Sequence, residues 1–467
     1  MPSLKEIARV VFDQALQSCS IQRAFDRKLR INTDAQGTHL ILDGHDPEHH
    51  DIVPINGPRH VRIVSAGKAA APMLQALLSR LPLSHSCDLQ GILIAPQRPP
   101  NLPAAIQFFP GGHPVPNPAS LAGASAALSM LLDVAHSSPQ DTLCIFLLSG
   151  GASALMELPL DPSISLDDTV AFHRALVHSG ASIVEINCLR KHFSAVKGGR
   201  LAVAAGSARK VSLLVSDVPP AHLDALASGP TIADPSTVAE CREIIARYSL
   251  MDQFPASVRR FFLSPDLPET PKPGDLISPI SKLLDSDDLA EAARDHAASL
   301  GFHAVIDNTC DDWSYDAAAD YLLDRLRQLR RQHPRTCLIS TGEVIVRVPN
   351  LPAAAHAPIS VADKPASHVG GRNQHIALYL ATQLRPDDGP LAVLSAGSDG
   401  IDGNSTAAGA IVDELTLDRT SRHEDAHRAL EAFNSSSFLS TLSATIVTGP
   451  TGHNLRDLRI LLADTSF

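Results

Sequence analysis

The chain has 467 residues, of which 44% are hydrophobic, 19% charged and 4% aromatic, and its formal net charge at pH 7 is −11. This length and composition predict a globular protein of two or three domains with a mainly aliphatic core. The acidic balance argues against a general nucleic-acid-binding surface, which needs a basic stripe. The seven scattered cysteines form no Cys-x-x-Cys motif, so they predict neither a disulfide framework nor a zinc site.

The N-terminal segment has the spacing of an amphipathic helix. Its apolar residues Leu4, Ile7, Val11 and Ala15 recur on one helical face, with charged residues between them. This pattern favours a helix over a signal peptide. We expect no apolar run to reach the length of a membrane span. The sequence therefore predicts a cytoplasmic protein that binds neither a membrane nor nucleic acid.

The first candidate site follows a short apolar strand, residues 61–64. Gly67 and Lys68 come directly after it, and an alanine-rich helix runs to about Leu78. A cation at a helix start opposes the helix dipole unless an anion compensates, although a solvated lysine is the simpler alternative. The segment is not a phosphate-binding Walker loop, because Arg62 and Ala69 stand where that motif has glycine and Ser/Thr.

A second turn of this kind follows the most apolar strand, residues 143–148. Ser149, Gly150 and Gly151 end it abruptly, and Ala152 begins a predicted helix. Backbone N–H groups at such a glycine turn make a natural anion site. The alternative is a tight strand–helix connection without a ligand.

Cations and acids then alternate along the chain. The segment 185–201 is the most cationic part, and the strand 211–215 ends at Asp217. A stretch rich in Pro, Asp and Ser predicts a linker at 264–284, between domains at 1–263 and 285–467. Beyond it we predict strands at 336–341 and 344–348, and a helix at 286–300 with Ser286 as its N-cap.

Five predicted strands end in a glycine turn or an acid, after residues 64, 148, 215, 394 and 447. In doubly wound sheets such ends gather at one edge, so we expect them to converge. Together they supply glycine turns, cations and carboxylates, which is the set that phosphoryl transfer needs. Asp399 and Asp402 are close enough in sequence to share Mg²⁺, although an Asx turn is the common alternative. A G-x-G-x-x-G dinucleotide motif and a G-x-S-x-G hydrolase motif are both absent from the sequence.

The ordered set of motifs resembles type II glycerate 2-kinases, a family with a C-terminal MOFRL domain whose members also carry hydroxypyruvate reductase labels. The resemblance runs in the same order over roughly residues 4 to 463. Its motifs include SAGKAA at 65–70, GHPVP at 112–116, LSGGASAL at 148–155, KGGRL at 197–201, GGRNQ at 370–374, DGIDG at 399–403 and TGPTG at 448–452.

The resemblance implies an α/β fold. The first domain would be Rossmann-like and three-layered with a mainly parallel sheet, the second an α/β domain with a mixed sheet, and the active site would lie in the cleft between them. It implies phosphorylation of D-glycerate by ATP with Mg²⁺ at the 2-hydroxyl, giving 2-phosphoglycerate and ADP. The alternative is an NAD(P)-dependent hydroxypyruvate reductase. A nucleotide-binding regulator without catalysis is a third hypothesis. The oligomeric state stays open, a homodimer included.

The resemblance also implies roles for individual residues. The expected catalytic pair is Lys68 and Arg372. Expected metal ligands are Asp217, Asp399 and Asp402. Substrate binding is expected from Gly67, His113, Arg190 and Glu343. Nucleotide binding is expected from Ser149, Gly150, Gly151, Ala152, Ser153, Lys197, Asp217, Gly370, Gly371 and Asn373.

The chain departs from the family pattern at a few loop positions, which leaves the reaction class intact and puts the exact substrate preference in question. Thr341 replaces a glycine and His375 replaces a glutamate. Pro219-Pro220 replaces a glycine-containing turn, and His453 stands where threonine is common.

Overall fold

A computed structural model describes residues 2–34, 37–43, 50–55, 59–81, 87–276, 278–348, 369–417 and 420–464. The chain forms two compact units, Ile21–Leu283 and Met1–Ser20 together with Leu284–Phe467. The first helix therefore belongs to the second unit. Residues 264–283, which the sequence assigns to a linker, belong to the first unit. We describe the two units separately below.

The helices within the described residues are α1 (Leu4–Ser18), α2 (Ile21–Lys28), α3 (Ala70–Leu78), α4 (Pro118–Ser137), α5 (Ala152–Leu155), α6 (Leu166–His178), α7 (Ile183–Phe193), α8 (Arg200–Val203), α9 (Val238–Arg247), α10 (Ala256–Leu263), α11 (Ser286–Ser299), α12 (Tyr315–Leu329), α13 (Arg372–Gln383), α14 (Thr420–Glu431) and α15 (Ser435–Thr441). The strands are β1 (Leu29–Asp34), β2 (Gly37–Asp43), β3 (His50–Pro54), β4 (His60–Ala66), β5 (Asp88–Ala95), β6 (Ile106–Pro110), β7 (Thr142–Ser149), β8 (Arg209–Val215), β9 (Ile280–Leu284), β10 (His303–Ile306), β11 (Arg335–Thr341), β12 (Leu391–Gly397), β13 (Gly409–Asp413), β14 (Thr445–Ile446) and β15 (Asp457–Asp464).

The first unit is built around a six-stranded sheet with the order β6-β5-β4-β7-β8-β9. The pairs β5–β6, β4–β5, β4–β7 and β7–β8 are all parallel. Every residue of β7 is buried, which is why its sequence is a continuous apolar run. A separate antiparallel sheet of β1, β2 and β3 belongs to the same unit. The predicted mainly parallel first sheet is confirmed.

Helix α4 is the one helix among the described residues that is long and apolar enough to cross a membrane, by length and composition alone. The expectation that no segment reaches this length is therefore wrong. The helix packs against β5 and β6. Its Ala124, Ala127 and Leu131 belong to the same buried cluster as Ile94. Core helices of globular domains pass the same test, so the finding is weak evidence for a membrane span.

The second unit is built around a mixed sheet with the order β10-β11-β15-β12-β13-β14. Strands β10 and β11 are parallel, whereas β15 is antiparallel to both β11 and β12, and β13 is antiparallel to β12 and β14. Strands β11, β12 and β14 therefore end at the same sheet edge, where β15 begins. Helices α1 and α11 pack together on this sheet, and so do α12 and α13. The predicted mixed sheet is confirmed.

Three predictions of local structure are wrong. The five strand ends belong to two sheets, so they do not gather at one edge. Residues 344–348 form no strand, because Ile345 bonds only to the loop around Trp313 and Tyr315. Helix α11 is capped by the carboxylate of Asp285, which accepts from the amides of Asp287 and Asp288, and Ser286 is already helical.

Candidate active site

The carboxyl ends of β4 and β7 are joined by hydrogen bonds between their turns. The amide of Lys68 donates to the carbonyl of Gly150 at 2.9 Å. The amide of Ala69 donates to Oγ of Ser149 at 3.0 Å. Because neighbouring parallel strands end at the same edge, these bonds hold the lysine beside the glycine turn. The structure thus brings together two of the predicted site segments.

Gly150 and Asp217 are in direct contact at this edge. A Cβ atom on Gly150 would lie 1.9 Å from Oδ2 of Asp217, so no larger residue fits. Gly151 has φ +82°, and a Cβ there would approach Cγ of Lys68 at 3.2 Å and Cδ2 of His113 at 3.1 Å. The turn therefore needs both glycines. It places a carboxylate, a lysine and a histidine around the same backbone.

A cavity of about 450 Å³ opens beside this turn within the first unit. Four predicted site residues line it, namely His113, Gly151, Ser153 and Arg190. Sequence reasoning missed its other basic residues, His173, Arg174 and His178. The ammonium group of Lys68 is exposed and pairs with no carboxylate of the described residues. Burial lowers the pKa of His113, and the positive charge of Lys68 lowers it further.

Helix α5 after the glycine turn has only four residues, so it supplies a much smaller dipole than a long helix. Within the described parts of the chain, the amides of Gly151, Ala152 and Ser153 donate to no protein acceptor. The hydroxyl of Ser153 contacts Oγ of Ser228 at 2.8 Å, and that hydroxyl donates to Oδ1 of Asn187 at 3.1 Å. These contacts hold the turn in place while its amides have no acceptor among the described residues. Such an arrangement suits an anionic ligand.

Lys197 lies in a different environment from the one predicted. It is fully buried, and its ammonium donates to Glu157, which is equally buried and also contacts Nε2 of His173 at 2.8 Å. Burial raises the pKa of Glu157, but Lys197 and His173 outweigh it and lower the value to about 2. The ammonium is thus paired inside the protein, and this geometry does not support the predicted phosphate contact.

Arg190 projects from α7 toward the cavity, close to the buried pair. Its Nε is buried without a hydrogen-bond partner. Burial lowers the pKa of this guanidinium, and Glu157 opposes that effect. A buried donor without a partner is costly, so this group is suited to an anionic ligand in the cavity.

The second unit presents the other predicted catalytic residue, Arg372, at the start of α13. Its Nε donates to Oδ2 of Asp457 at 2.5 Å, and its Nη2 lies 2.7 Å from Oε1 of Glu343. These carboxylates offset the unfavourable position of a cation at a helix N-terminus. Burial raises the pKa of Glu343, an effect that Arg372 opposes. Nη1 of Arg372 has no acceptor in the described part of the chain, so it is left for a ligand.

Asp402 caps α13 from the loop after β12. Its Oδ1 accepts from the amide of Asn373 at 3.0 Å, and its Oδ2 accepts from the amide and side chain of Gln374 at 2.8 and 2.9 Å. A Cβ on Gly371 would lie 2.2 Å from this carboxylate. Burial raises the pKa of Asp402, against the hydrogen bonds from the helix. Both oxygens are thus engaged, which argues against the predicted metal role.

Asp399 is the acid of this loop that stays available. Its Oδ1 accepts from the amide of Ile401 at 3.1 Å, and Oδ2 has no donor among the described residues. It lines a cavity of about 790 Å³ together with Gly370, Gly371, Arg372, Asn373, Asp402 and Asp457. One side of the cavity is apolar, with Val344, Ile345 and Phe433. The structure therefore brings the predicted residues of the second unit together. Glu343 contributes through its ion pair with Arg372, which lines the cavity.

Two of the departures from the family pattern are buried histidines. His375 lines the same cavity, contacts Oγ of Ser435 at 3.1 Å and stacks on Phe433. Burial lowers the pKa of His375 to about 4, and that of His453 likewise to about 4. Both rings are therefore neutral near pH 7. Nε2 of His375 is buried without a hydrogen-bond partner among the described residues.

The two cavities differ in charge. Cations dominate around the first, with Lys68, Arg174 and Arg190, and acids dominate around the second, where Arg372 is outweighed by its carboxylate neighbours. Carboxylates with a vacant oxygen fit Mg²⁺, so Asp399 meets the requirement and Asp402 does not. Asp217, beside Gly150, also has the right donor type.

The sequence did not point to Asp457, although it is the main partner of Arg372. It opens β15 directly after Arg456, whose Nη1 and Nη2 donate to Asp311 at 2.5 and 2.8 Å. The available signal was an adjacent arginine and aspartate at the start of a buried strand. An isolated acid in one sequence has no pattern that separates it from surface charge.

Comparison with known proteins gives matches over most of the chain. A model described as a domain of unknown function, DUF4147, matches residues 7–263, and the MOFRL family model matches residues 336–457. The chain is 30% identical to a glycerate 2-kinase of Pyrococcus horikoshii, covering 98% of this chain and 97% of that one. It is 34% identical to an Agrobacterium vitis protein provisionally named a hydroxypyruvate reductase, covering 86% of each.

A solved structure extends the similarity to the fold. The crystal structure of a glycerate kinase from Thermotoga maritima superimposes with a TM-score of 0.78 at 30% identity, covering 98% of this chain and 99% of that one. The two family models thus match the chain in the order that the motifs predicted. A relative matches over nearly the full length of both chains. The chain belongs to the family of glycerate 2-kinases with a C-terminal MOFRL domain.

Proposed function

We propose that this protein transfers the γ-phosphoryl group of ATP to the 2-hydroxyl of D-glycerate, giving 2-phosphoglycerate and ADP. The observation that carries the proposal is the unpaired ammonium of Lys68 held beside a glycine turn with unused amides. Such a set binds and neutralises a transferring phosphoryl group. The name of the Pyrococcus horikoshii relative supports the same substrate and position.

We assign the anionic groups of the substrates to the first unit. The turn amides and Lys68 supply donors without internal partners, and Arg190 adds a buried one. A phosphate or the carboxylate of glycerate would each satisfy them, since both are oxyanions. His113, whose pKa is lowered by burial and by Lys68, would serve as a neutral hydrogen-bonding group at the substrate.

We assign Arg372 and Asp399 of the second unit to charge control during transfer. Glu343 and Asp457 hold the guanidinium in one orientation and leave Nη1 for a substrate oxygen. When bound, Mg²⁺ would offset the negative charge of the phosphates, and Asp399 is the residue of the second unit that would hold it. Asp217 is the corresponding candidate in the first unit. In the reaction the glycerate oxygen bonds to phosphorus as the bond to the β-phosphate oxygen breaks, and the hydroxyl proton leaves.

A two-substrate assay separates this function from the alternative reductase. Purified protein with D-glycerate and ATP should release ADP. With NAD(P)⁺ in place of ATP, absorbance at the nicotinamide band should not change. Cofactor reduction without ADP release would establish the reductase instead. A regulator without catalysis would bind ATP and yield neither product.

The location and assembly of the enzyme are part of the proposal. We propose a soluble, cytoplasmic enzyme, because several relatives are named glycerate kinases and the apolar helix α4 packs on the sheet of the first unit. Its partners would be the two small-molecule substrates. Cell fractionation tests the location, and recovery of the protein in the membrane pellet would contradict it.

A further inference from the structure

A pair of thiols lies outside the cavities described above, between helices α7 and α9 of the first unit. The Sγ atoms of Cys188 and Cys241 are 3.3 Å apart. A disulfide bond joins sulfur atoms at about 2.05 Å, so closure requires the two atoms to approach by little more than about 1 Å. Neither residue entered the functional argument from sequence, because they are 53 positions apart without a motif.

The two thiols differ in access to solvent. Cys188 lines a cavity of about 300 Å³ and keeps 5% of its surface exposed, whereas Cys241 is fully buried behind it. A hydrogen bond from Cys241 holds the pKa of Cys188 below its usual range against the effect of burial. The thiolate is the form that reacts with oxidants. An oxidant in the cavity would therefore meet Cys188 first, with a second thiol in reach.

A metal site is the competing interpretation, because ligand atoms of Cys188, His192 and Cys241 lie within 4.8 Å of one another. Both ring nitrogens of His192 are engaged, with the carbonyl of Cys188 at 3.0 Å and with Glu269 at 3.4 Å. Neither nitrogen is therefore left to bind a metal, which favours the thiol pair.

We propose that Cys188 and Cys241 form a reversible intrachain disulfide when the protein meets hydrogen peroxide. The Cys188 thiolate attacks a peroxide oxygen and the O–O bond breaks. Cys188 becomes a sulfenic acid, and the other peroxide oxygen leaves as water together with the proton of the thiol. The Cys241 sulfur then attacks the Cys188 sulfur, and the S–O bond breaks with release of a second water. One peroxide is reduced as two thiols are oxidised, and a dithiol reverses the change.

The disulfide would tie the helix that lines the active-site cavity to its neighbour. Helix α7 carries Asn187, which holds the Ser228 hydroxyl beside the glycine turn, and Arg190, which lines the cavity. A small displacement of such groups is costly for catalysis. We therefore expect oxidation to lower turnover reversibly, and this consequence rests on the proposed function.

Peptide mapping tests the disulfide directly. The full-length protein is treated with hydrogen peroxide, denatured, alkylated and digested, and the masses of its peptides are measured by mass spectrometry. We expect a cross-linked peptide joining residues 188 and 241, lighter by two hydrogen atoms than the two reduced peptides, and its disappearance after dithiothreitol. Cys337→Ser, which removes a buried thiol of β11, should leave the cross-link intact, whereas Cys188→Ser should abolish it.

Two results would overturn the disulfide. The first is an absent cross-link under conditions that oxidise the partly exposed Cys87, which reports that peroxide reached the protein. The second is stoichiometric zinc in the purified protein that is lost in His192→Ala, because this would make the cluster a metal site.

The effect of oxidation on catalysis is measured by assaying the turnover of peroxide-treated enzyme. Wild-type turnover should fall by about tenfold or more and recover with dithiothreitol, since misplacement of about 1 Å can cost about 100-fold. Cys241→Ser should resist the loss. An equal, irreversible loss in Cys241→Ser would contradict the coupling. If untreated protein shows no kinase activity, the proposed function fails, while the peptide map still decides the disulfide.

Discussion

Among individual residues, Arg372 has the most specific expected role. Arg372→Ala should lower turnover by about 10³-fold or more, because arginines that stabilise a transferring phosphoryl group are worth about 10³–10⁵ in rate. Steady-state kinetics with ATP and D-glycerate measure the change. Arg428→Ala is the matched control, since that arginine is exposed on α14 and, among the described residues, its one ion pair is with Asp425 on its own helix. Near-normal turnover in Arg372→Ala would remove the residue from the mechanism.

Lys197 is expected to act on stability instead. Lys197→Met leaves the buried carboxylate of Glu157 without its cation, which costs about 3 kcal/mol of unfolding free energy at pH 7. The pKa of Glu157 is lowered in the folded wild type to about 2, so this stabilisation is present above the unfolded pKa of about 4.5 and is lost as pH falls toward 2.

Urea denaturation of wild type and Lys197→Met at several pH values checks this assignment. The difference in unfolding free energy should be full near pH 7 and should shrink progressively below pH 4.5. An equal difference at pH 7 and pH 3 would contradict it. A variant that folds normally but binds ATP much more weakly would restore the phosphate-binding role predicted from sequence.

At the scale of elements, the turn after β7 depends on Gly150. Gly150→Ala should lower turnover by about 100-fold, since the new methyl group overlaps Asp217 and displaces the turn or the carboxylate. Gly180→Ala is the control for turnover, because a Cβ there meets nothing within 4 Å. Its φ of +79° makes alanine cost about 1–2 kcal/mol of stability, so the two variants are compared by turnover and not by stability. Circular dichroism should show both variants folded. Full activity in Gly150→Ala would show that this close contact has no part in catalysis.

The loop after β12 contains two acids with different expected roles. Asp399→Asn should raise the Mg²⁺ concentration needed for half-maximal activity, because its free oxygen is suited to the cation. Asp402→Asn should instead lower the free energy of unfolding by about 1–3 kcal/mol, because it replaces one of the two accepting oxygens at the N-terminus of α13 with an NH2 donor. Magnesium titrations and urea denaturation of both variants measure these effects. The reverse assignment would follow if Asp402→Asn alone changed the Mg²⁺ dependence.

For the whole molecule, local sequence patterns predicted strands and helices, and the family resemblance implied the types of the two sheets. Strands such as β7 and helices such as α4 have strong local patterns, so most of the alternation between strands and helices was predictable. Pairing between distant strands is not a local property. The direction of β15 and the reversal that puts Asp457 beside Arg372 therefore had to come from the structure.

The candidate site likewise has features that were visible in the sequence and features that depend on packing between distant residues. The glycine turns beside Lys68 and Arg372 were visible in the sequence, and the family resemblance implied the catalytic role of these two residues. Whether an ionisable side chain is free or paired depends on what packs against it, as Lys197 with Glu157 and Asp402 with α13 demonstrate. The membership of α1 in the second unit likewise depends on contacts with β12 and β15, which no local pattern records.

The most direct test of the central claim is the identity of the product. Phosphorus NMR of a reaction with ATP, Mg²⁺ and D-glycerate should show the resonance of 2-phosphoglycerate growing as ADP forms, and Arg372→Ala should nearly abolish both. A 3-phosphoglycerate resonance would contradict transfer to the 2-hydroxyl. The absence of any phosphoglycerate, with folded protein and both substrates present, would contradict the kinase itself.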